Sequence, residues 1–185
     1  SQTKLITDTT EYNNVVNIGY SIRDAIGVYY AKINEQNPTD NFLWEFVLVD
    51  DDQTKNAWCM PGGKIAVYSG ILPIAKNNDG LASIMGHEIA HAVARHSAER
   101  ASRAILMDAS TYAFERLVLG TSMTGYSREL YGHMRQLGLE LPFSRNQESE
   151  ADYLGLVFMN LAGYNSEESY LVWERMQEAI GGKGQ

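Results

Sequence analysis

The sequence predicts an α+β fold that is mostly helical and carries one small sheet. Two observations lead to this. Apolar residues recur at helical spacing over long stretches near the start, in the middle and toward the end of the chain. Between the first and second of these lie short strand-like runs separated by turn residues. With 185 residues, 44% of them apolar and 21% charged, the chain suits a single domain, residues 1–185, with a sizeable core.

The first element runs from Glu11 to Gln36. Tyr12, Val15, Val16, Ile22, Ile26, Tyr29, Tyr30 and Ile33 form one apolar face, and Pro38 follows its end. Residues 1–38 are therefore expected as an N-terminal packing helix. Phe42 to Val49, Asn56 to Met60 and Lys64 to Tyr68 read as short strands. Pro61 argues for a bend or a sheet edge beside the second of them. The acidic triplet Asp50-Asp51-Asp52 reads as a solvated turn, because three consecutive side chains cannot all face one cation. Asn78-Asp79-Gly80 starts a helix expected to run through about Ala101, with helical signals continuing to Leu119. A stretch rich in Gly, Ser and Thr follows, from Gly120 to Ser127. Another helix follows Ser144-Arg145-Asn146 and stops near Gly163, and Ser166 caps a last helix ending near Ile180. Residues 40–165 are expected as the core unit, with 166–185 a C-terminal helix and frayed tail.

The chemistry concentrates at Gly86-His87-Glu88-Ile89-Ala90-His91. On a helix, His87 and His91 project from one face a turn apart, a separation at which two imidazoles grip one ion. Glu88 lies to the side, where its carboxylate reaches a water activated by that ion. This is zinc-hydrolase chemistry, and it needs a third protein ligand. A metzincin would carry Gly at position 94 and His at position 97; the residues there are Ala94 and Ser97. His96 stands about 140° around a continuous helix from His91, so it is expected to point away from the pair.

A carboxylate from a later helix fits instead. Glu148 and Asp152 are one turn apart, so Glu148 is placed to bind the metal while Asp152 accepts the outer N–H of a ligating histidine. Glu150 is rotated about 200° from Glu148 and is expected to face elsewhere.

Ser144 to Gly155, including Glu148-Ser149-Glu150-Ala151-Asp152, resembles the second motif of the gluzincin metallopeptidase family forty-eight. Ser83 to His91 resembles that family's first motif, and Asn56 to Gly70 is similar as well. The resemblance covers roughly residues 40–165 and takes in the HtpX-like and CAAX-prenyl-protease-like peptidases. It implies a gluzincin domain with a small sheet beside the active-site helix and a second helix supplying the Glu ligand. One zinc ion per chain would sit on His87, His91 and Glu148, with Glu88 as general base and Asp152 behind a ligand. It further implies that the strand at Asn56, Ala57 and Trp58 pairs with extended substrate.

The expected activity is that of a zinc metalloendopeptidase acting on polypeptide, in particular unfolded or misfolded protein. The alternative is a zinc-bound chaperone-like or scaffold protein with little hydrolysis, and an amidase is a third reading. Arg145, Tyr126, Tyr131 and His133 are candidates for the oxyanion donor. The helix from Glu11, or the loop from Gly120 to Arg135, is placed to cover the cleft.

A net charge of -8 argues against nucleic acid as a partner. The lone Cys59 forms no intrachain disulfide and reads as a small buried hydrophobe. No apolar run reaches the roughly 18 to 20 residues of a membrane span. The Ser1-Gln2 start is expected of a processed or trimmed form. Together with the resemblance, these features lead to the expectation of a soluble or lipid-anchored envelope protease, periplasmic or outer-membrane-associated and working in quality control.

Overall fold

The computed structural model describes residues 4–96, 99 and 142–181. The first helix, α1 (Thr10–Lys32), begins where Thr9 accepts a hydrogen bond from the Tyr12 amide. It ends earlier than its apolar period predicts. Asn34 takes a left-handed conformation (φ 56°), and the Glu35 amide closes on the Tyr30 carbonyl. Val15, Ile18, Ile22 and Ile26 form the buried stripe.

Four strands form one sheet in the order β1-β2-β4-β3. They are β1 (Leu5–Ile6), β2 (Glu45–Val49), β3 (Ala57–Met60) and β4 (Lys64–Tyr68). The short β1, absent from the sequence reading, pairs antiparallel with β2, while β2 and β4 run parallel. β3 and β4 form a hairpin, with Pro61 in the turn and Gly62 and Gly63 at φ 92° and 89°. That places β3 at the edge of the sheet. Asp51 organises the acidic turn by accepting from the amides of Gln53 and Thr54 and from the Thr54 hydroxyl. The Thr54 hydroxyl above all holds the Asp51 carboxyl below its usual range.

A 3-10 turn and the short α2 (Leu72–Ala75) lead into α3 (Asn78–Val93), which Asn77 caps through the Gly80 amide at 2.8 Å. The sequence reading carried this helix on to about Ala101, and the structure corrects that. Arg95 is left-handed (φ 58°), so the chain breaks direction at Ala94-Arg95 before turning again through His96. Two further helices complete the described chain, α4 (Pro142–Leu161) and α5 (Glu168–Gly181). The helical signals expected up to Leu119 and the stretch Gly120 to Ser127 lie outside the described residues.

α3 lies at the centre, against β3 on one side and α1, α4 and α5 on the others. Met85, Ile89 and Ala90 of α3 share a core with Ile22 and Ile26 of α1, Phe46 and Ile65 of the sheet, and Phe158 of α4. α5 is clamped from its own side: Arg175 donates to the Ile74 carbonyl at 2.7 Å and the Ala75 carbonyl at 3.2 Å, and pairs with Glu168.

A close backbone contact joins α3 to α4. A Cβ placed on Gly155 would stand 2.9 Å from the His87 amide nitrogen and 3.0 Å from the Gly86 carbonyl carbon. A Cβ on Gly86 would stand 3.0 Å from the Gly155 carbonyl oxygen. These neighbours are backbone atoms, so no rotamer change relieves the clash. Gly155→Ala gains about 1 kcal/mol of helix propensity but incurs an overpacking cost of about 1–3 kcal/mol. A net loss of up to about 2 kcal/mol is expected by chemical denaturation. A variant more stable than the parent would refute the backbone contact.

Cys59 sits on β3, partly rather than fully buried as expected, its thiol donating to the Met60 carbonyl at 3.5 Å. Burial, with the nearby Glu88 carboxylate second, pushes that thiol up to about 12. The thiolate is the reactive form, so alkylation at pH 7.5 is expected to be about 10²–10³-fold slower in the native chain than after unfolding. Equal rates in the two states would contradict the covered setting.

Candidate metal centre

His87, Glu88 and His91 all stand on α3, as their spacing requires. The two histidines present their Nε2 atoms to each other at 3.1 Å. Glu148 reaches across from α4 and puts Oε2 3.4 Å from the Nε2 of each. Four ligands bound tetrahedrally at about 2.0–2.1 Å stand roughly 3.3–3.4 Å from one another. The three donors therefore already have the separations that one small cation demands, and among the described residues they form the His/Asp/Glu group suited to holding a metal ion.

Proton placement agrees with this. His87 Nδ1 lies 2.9 Å from Asp152 Oδ1. An ionised carboxylate only accepts, so Nδ1 carries the hydrogen and the Nε2 of a neutral ring is left as a lone-pair donor. That lone pair faces a second imidazole nitrogen and a carboxylate oxygen, an arrangement favourable to a cation. Both histidine side chains are mostly covered, at 12% and 15% exposure, whereas Glu148 is about half exposed at 47%. The centre thus opens on the α4 side.

Glu88 stands apart from the three donors. It lines a small cavity between α3, β3 and α5 together with His87, Asn56, Ala57 and Trp173. Asn56 and Ala57 thus reach the neighbourhood of the centre. Trp58 does not line that cavity. Alternation along β3 buries Ala57 and exposes Trp58, whose indole N–H donates to the Tyr68 hydroxyl at 3.4 Å.

His96 differs from expectation, and Glu150 gains a partner that its expected direction did not specify. His96 is buried at 2% exposure, and its Nδ1 lies 2.9 Å from His91 Nδ1. The expected outward direction assumed an unbroken helix; the left-handed Arg95 turns the next residue back toward the pair. Glu150 is rotated away from Glu148 as its position requires, yet it meets His96, with Oε2 3.1 Å from Nε2. Of the oxyanion candidates, Arg145 is exposed at the start of α4, and Tyr126, Tyr131 and His133 lie outside the described residues, as does the loop from Gly120 to Arg135.

The sequence places the last helix, α5, but gives it no part in the site. Trp173 sets its ring edge-on to His87, with centroids 5.4 Å apart at 78°. With Tyr170, Ser169, Leu156, Gly155 and Asp152, it walls a cleft of about 270 Å³ against His87. The only local signal was the spacing of Tyr170 and Trp173, three apart and so on one helix face. Nothing in it said what that face would meet.

Comparison with known proteins places this geometry in a family. The model of "Peptidase family M48" matches residues 23–180. The mitochondrial metalloendopeptidase OMA1 of Schizosaccharomyces pombe is 43% identical over 142 residues, covering 76% of this chain and 40% of that protein. OMA1 of Arabidopsis thaliana is 40% identical over 137 residues, covering 74% and 26%. Metalloprotease YcaL of Escherichia coli is 30% identical over 134 residues, covering 70% and 50%. The chain thus spans half or less of the length of each of these relatives.

The matches also correct the expected location. Relatives at 40–43% identity are named as mitochondrial, while the bacterial proteins match at 29–30%. The periplasmic or outer-membrane-associated home is therefore withdrawn. That expectation came mainly from the family resemblance, joined to the absence of a membrane span; no helix among the described residues is long and apolar enough to cross a membrane, and that fact does not choose a compartment. Two helices bring His87, His91 and Glu148 together, and the family model covers both of them: the chain belongs to peptidase family M48.

Proposed function

We propose that this chain is the metallopeptidase domain of a zinc-dependent metalloendopeptidase, with residues 40–165 as its catalytic core. The observation that carries the reading is the set of three donor atoms separated by 3.1, 3.4 and 3.4 Å. Two imidazole nitrogens and one carboxylate oxygen, with one side open, form the donor set of a catalytic rather than a closed structural zinc site. His87, His91 and Glu148 hold the ion. When bound, zinc supplies Lewis acidity, lowering the pKa of a water toward neutrality and polarising a peptide carbonyl.

The remaining work falls to the chain's own residues. Asp152 keeps His87 in the Nδ1–H tautomer. Glu88, beside the centre but outside the donor set, takes the proton of the attacking water and returns it to the departing amine. The edge strand β3 offers the outward backbone groups of Ala57 to an extended polypeptide, flanked by Asn56, whose carbonyl accepts from the Tyr68 amide, and by Trp58. Main-chain pairing of this kind suits unfolded polypeptide, because it holds any sequence in register. The names of the more similar relatives support a mitochondrial setting.

Glu88→Gln is expected to retain one zinc per chain by elemental analysis while losing about 10²–10⁴-fold in turnover of casein. Glu148→Ala is expected to lose both zinc and turnover, and a chelator should abolish wild-type cleavage until zinc is restored. An active Glu88→Gln protein would sink the mechanism. Full zinc binding without any cleavage by the wild type would favour the scaffold reading instead.

The strand-pairing role has its own measurement. Lengthening a peptide substrate on either side of the cleaved bond is expected to lower KM stepwise, with kcat less affected. A KM independent of length would remove β3 from substrate binding.

A further inference from the structure

His91 has a second ring nitrogen, and what holds it is not part of the two motif helices' own pattern. Its Nδ1 lies 2.9 Å from Nδ1 of His96, and Nε2 of His96 lies 3.1 Å from Oε2 of Glu150. The three groups form a chain that starts on α3, passes through a buried imidazole beyond the helix break, and ends on a carboxylate of α4.

The direction of the hydrogen bonds follows from the end of the chain. The Glu150 carboxylate accepts, so Nε2 of His96 carries the hydrogen. Nδ1 of a neutral His96 then accepts, and the hydrogen between the two rings belongs to Nδ1 of His91. His91 is left with an unprotonated Nε2, the atom facing His87 and Glu148. A ligating histidine requires that tautomer.

The backbone is arranged to make this contact. Arg95 is left-handed, a conformation that costs a residue with a Cβ, and it is this turn that brings His96 back to His91. α4 then fastens the redirected segment twice, through Glu150 to His96 and through the Gln147 amide, which donates to Glu99 at 2.7 Å. Gln147 and Glu150 are three apart on one face of α4, while Glu148 and Asp152 are four apart on the face toward His87.

We propose that His96 is a positioning residue for the metal centre: backed by Glu150, it holds His91 in the Nδ1–H tautomer and aims its Nε2 at the ion, as Asp152 does for His87. The inference rests on the zinc reading given above.

The test measures zinc affinity by competition with a chromophoric chelator, on chains whose helical circular dichroism is also recorded. His96→Leu is expected to weaken zinc about 10–100-fold while keeping the helical signal. His96→Asn, which restores an acceptor near the place of Nδ1, is expected to recover most of that loss. In the zinc-loaded wild type, long-range 1H–15N correlation spectra are expected to place the His96 hydrogen on Nε2 and the His91 hydrogen on Nδ1. Wild-type affinity in a folded His96→Leu chain, or a hydrogen on Nδ1 of a neutral His96, would overturn the inference and leave the zinc reading standing. A wild type that binds no stoichiometric zinc would overturn both. Should His96→Leu fail to fold, His96→Asn and the wild-type spectra decide: weak zinc binding by a folded His96→Asn counts against the proposal.

Discussion

α3 and α4 touch backbone to backbone at Gly86 and Gly155, and the rest of the centre is built from that contact. Side chains of any size there would hold the helix axes further apart. With none, the face of α4 that carries Glu148, Ala151, Asp152 and Gly155 lies directly on the second half of the two-histidine helix. Ala151 is fully buried in that seam, so the two carboxylates on either side of it have little freedom to move away from α3. Glu148 thereby reaches both Nε2 atoms and Asp152 reaches the far nitrogen of His87. A helix pair at ordinary spacing, about 8–10 Å between axes, would ask longer side chains to do the same.

The polar groups around the two ligating rings are then satisfied in an ordered way. Each ring offers one nitrogen inward, and each has its outer nitrogen engaged, His87 by a carboxylate directly and His91 by a second imidazole that ends on a carboxylate. Burying such groups without partners would be costly, and here both lines of partners end on carboxylates of a single helix, α4. α5 adds the remaining wall. Arg175 ties it to the carbonyls that end α2, and this fixes the height at which Trp173 meets His87. An exposed aromatic pair that looks unremarkable on an isolated helix thus becomes the side of a cleft.

Much of the fold was legible because its signals are local. The buried stripe of α1, the start of α3 at Asn78-Asp79-Gly80 and the Pro-Gly-Gly turn between β3 and β4 each depend on residues within a few positions. The departures are equally specific. α1 ends early because Asn34 accepts a left-handed backbone, which apolar periodicity does not register. β1 is two residues long and exists only because β2 offers it an edge. The break after α3 carries no Gly or Pro, so Ala94-Arg95-His96 gives no local sign of it; it coincides with the contacts of His96 to His91 and to Glu150 of α4. The compartment was misjudged for a different reason: it was carried over from a branch of the family, and neither the site residues nor a missing membrane span specifies a compartment.

By itself the sequence determined the two half-sites. His87 with His91, and Glu148 with Asp152, are each one helical turn apart, so the 3.6-residue period alone puts each pair on one face. What only the tertiary structure decided is how those halves meet. The glycine contact sets their distance, the left-handed Arg95 returns His96 to the second ring, and the sheet order leaves β3 at the edge. The physical reason is range: a helix relates residues three or four apart by its own geometry, whereas the approach of two helices depends on everything packed between and around them.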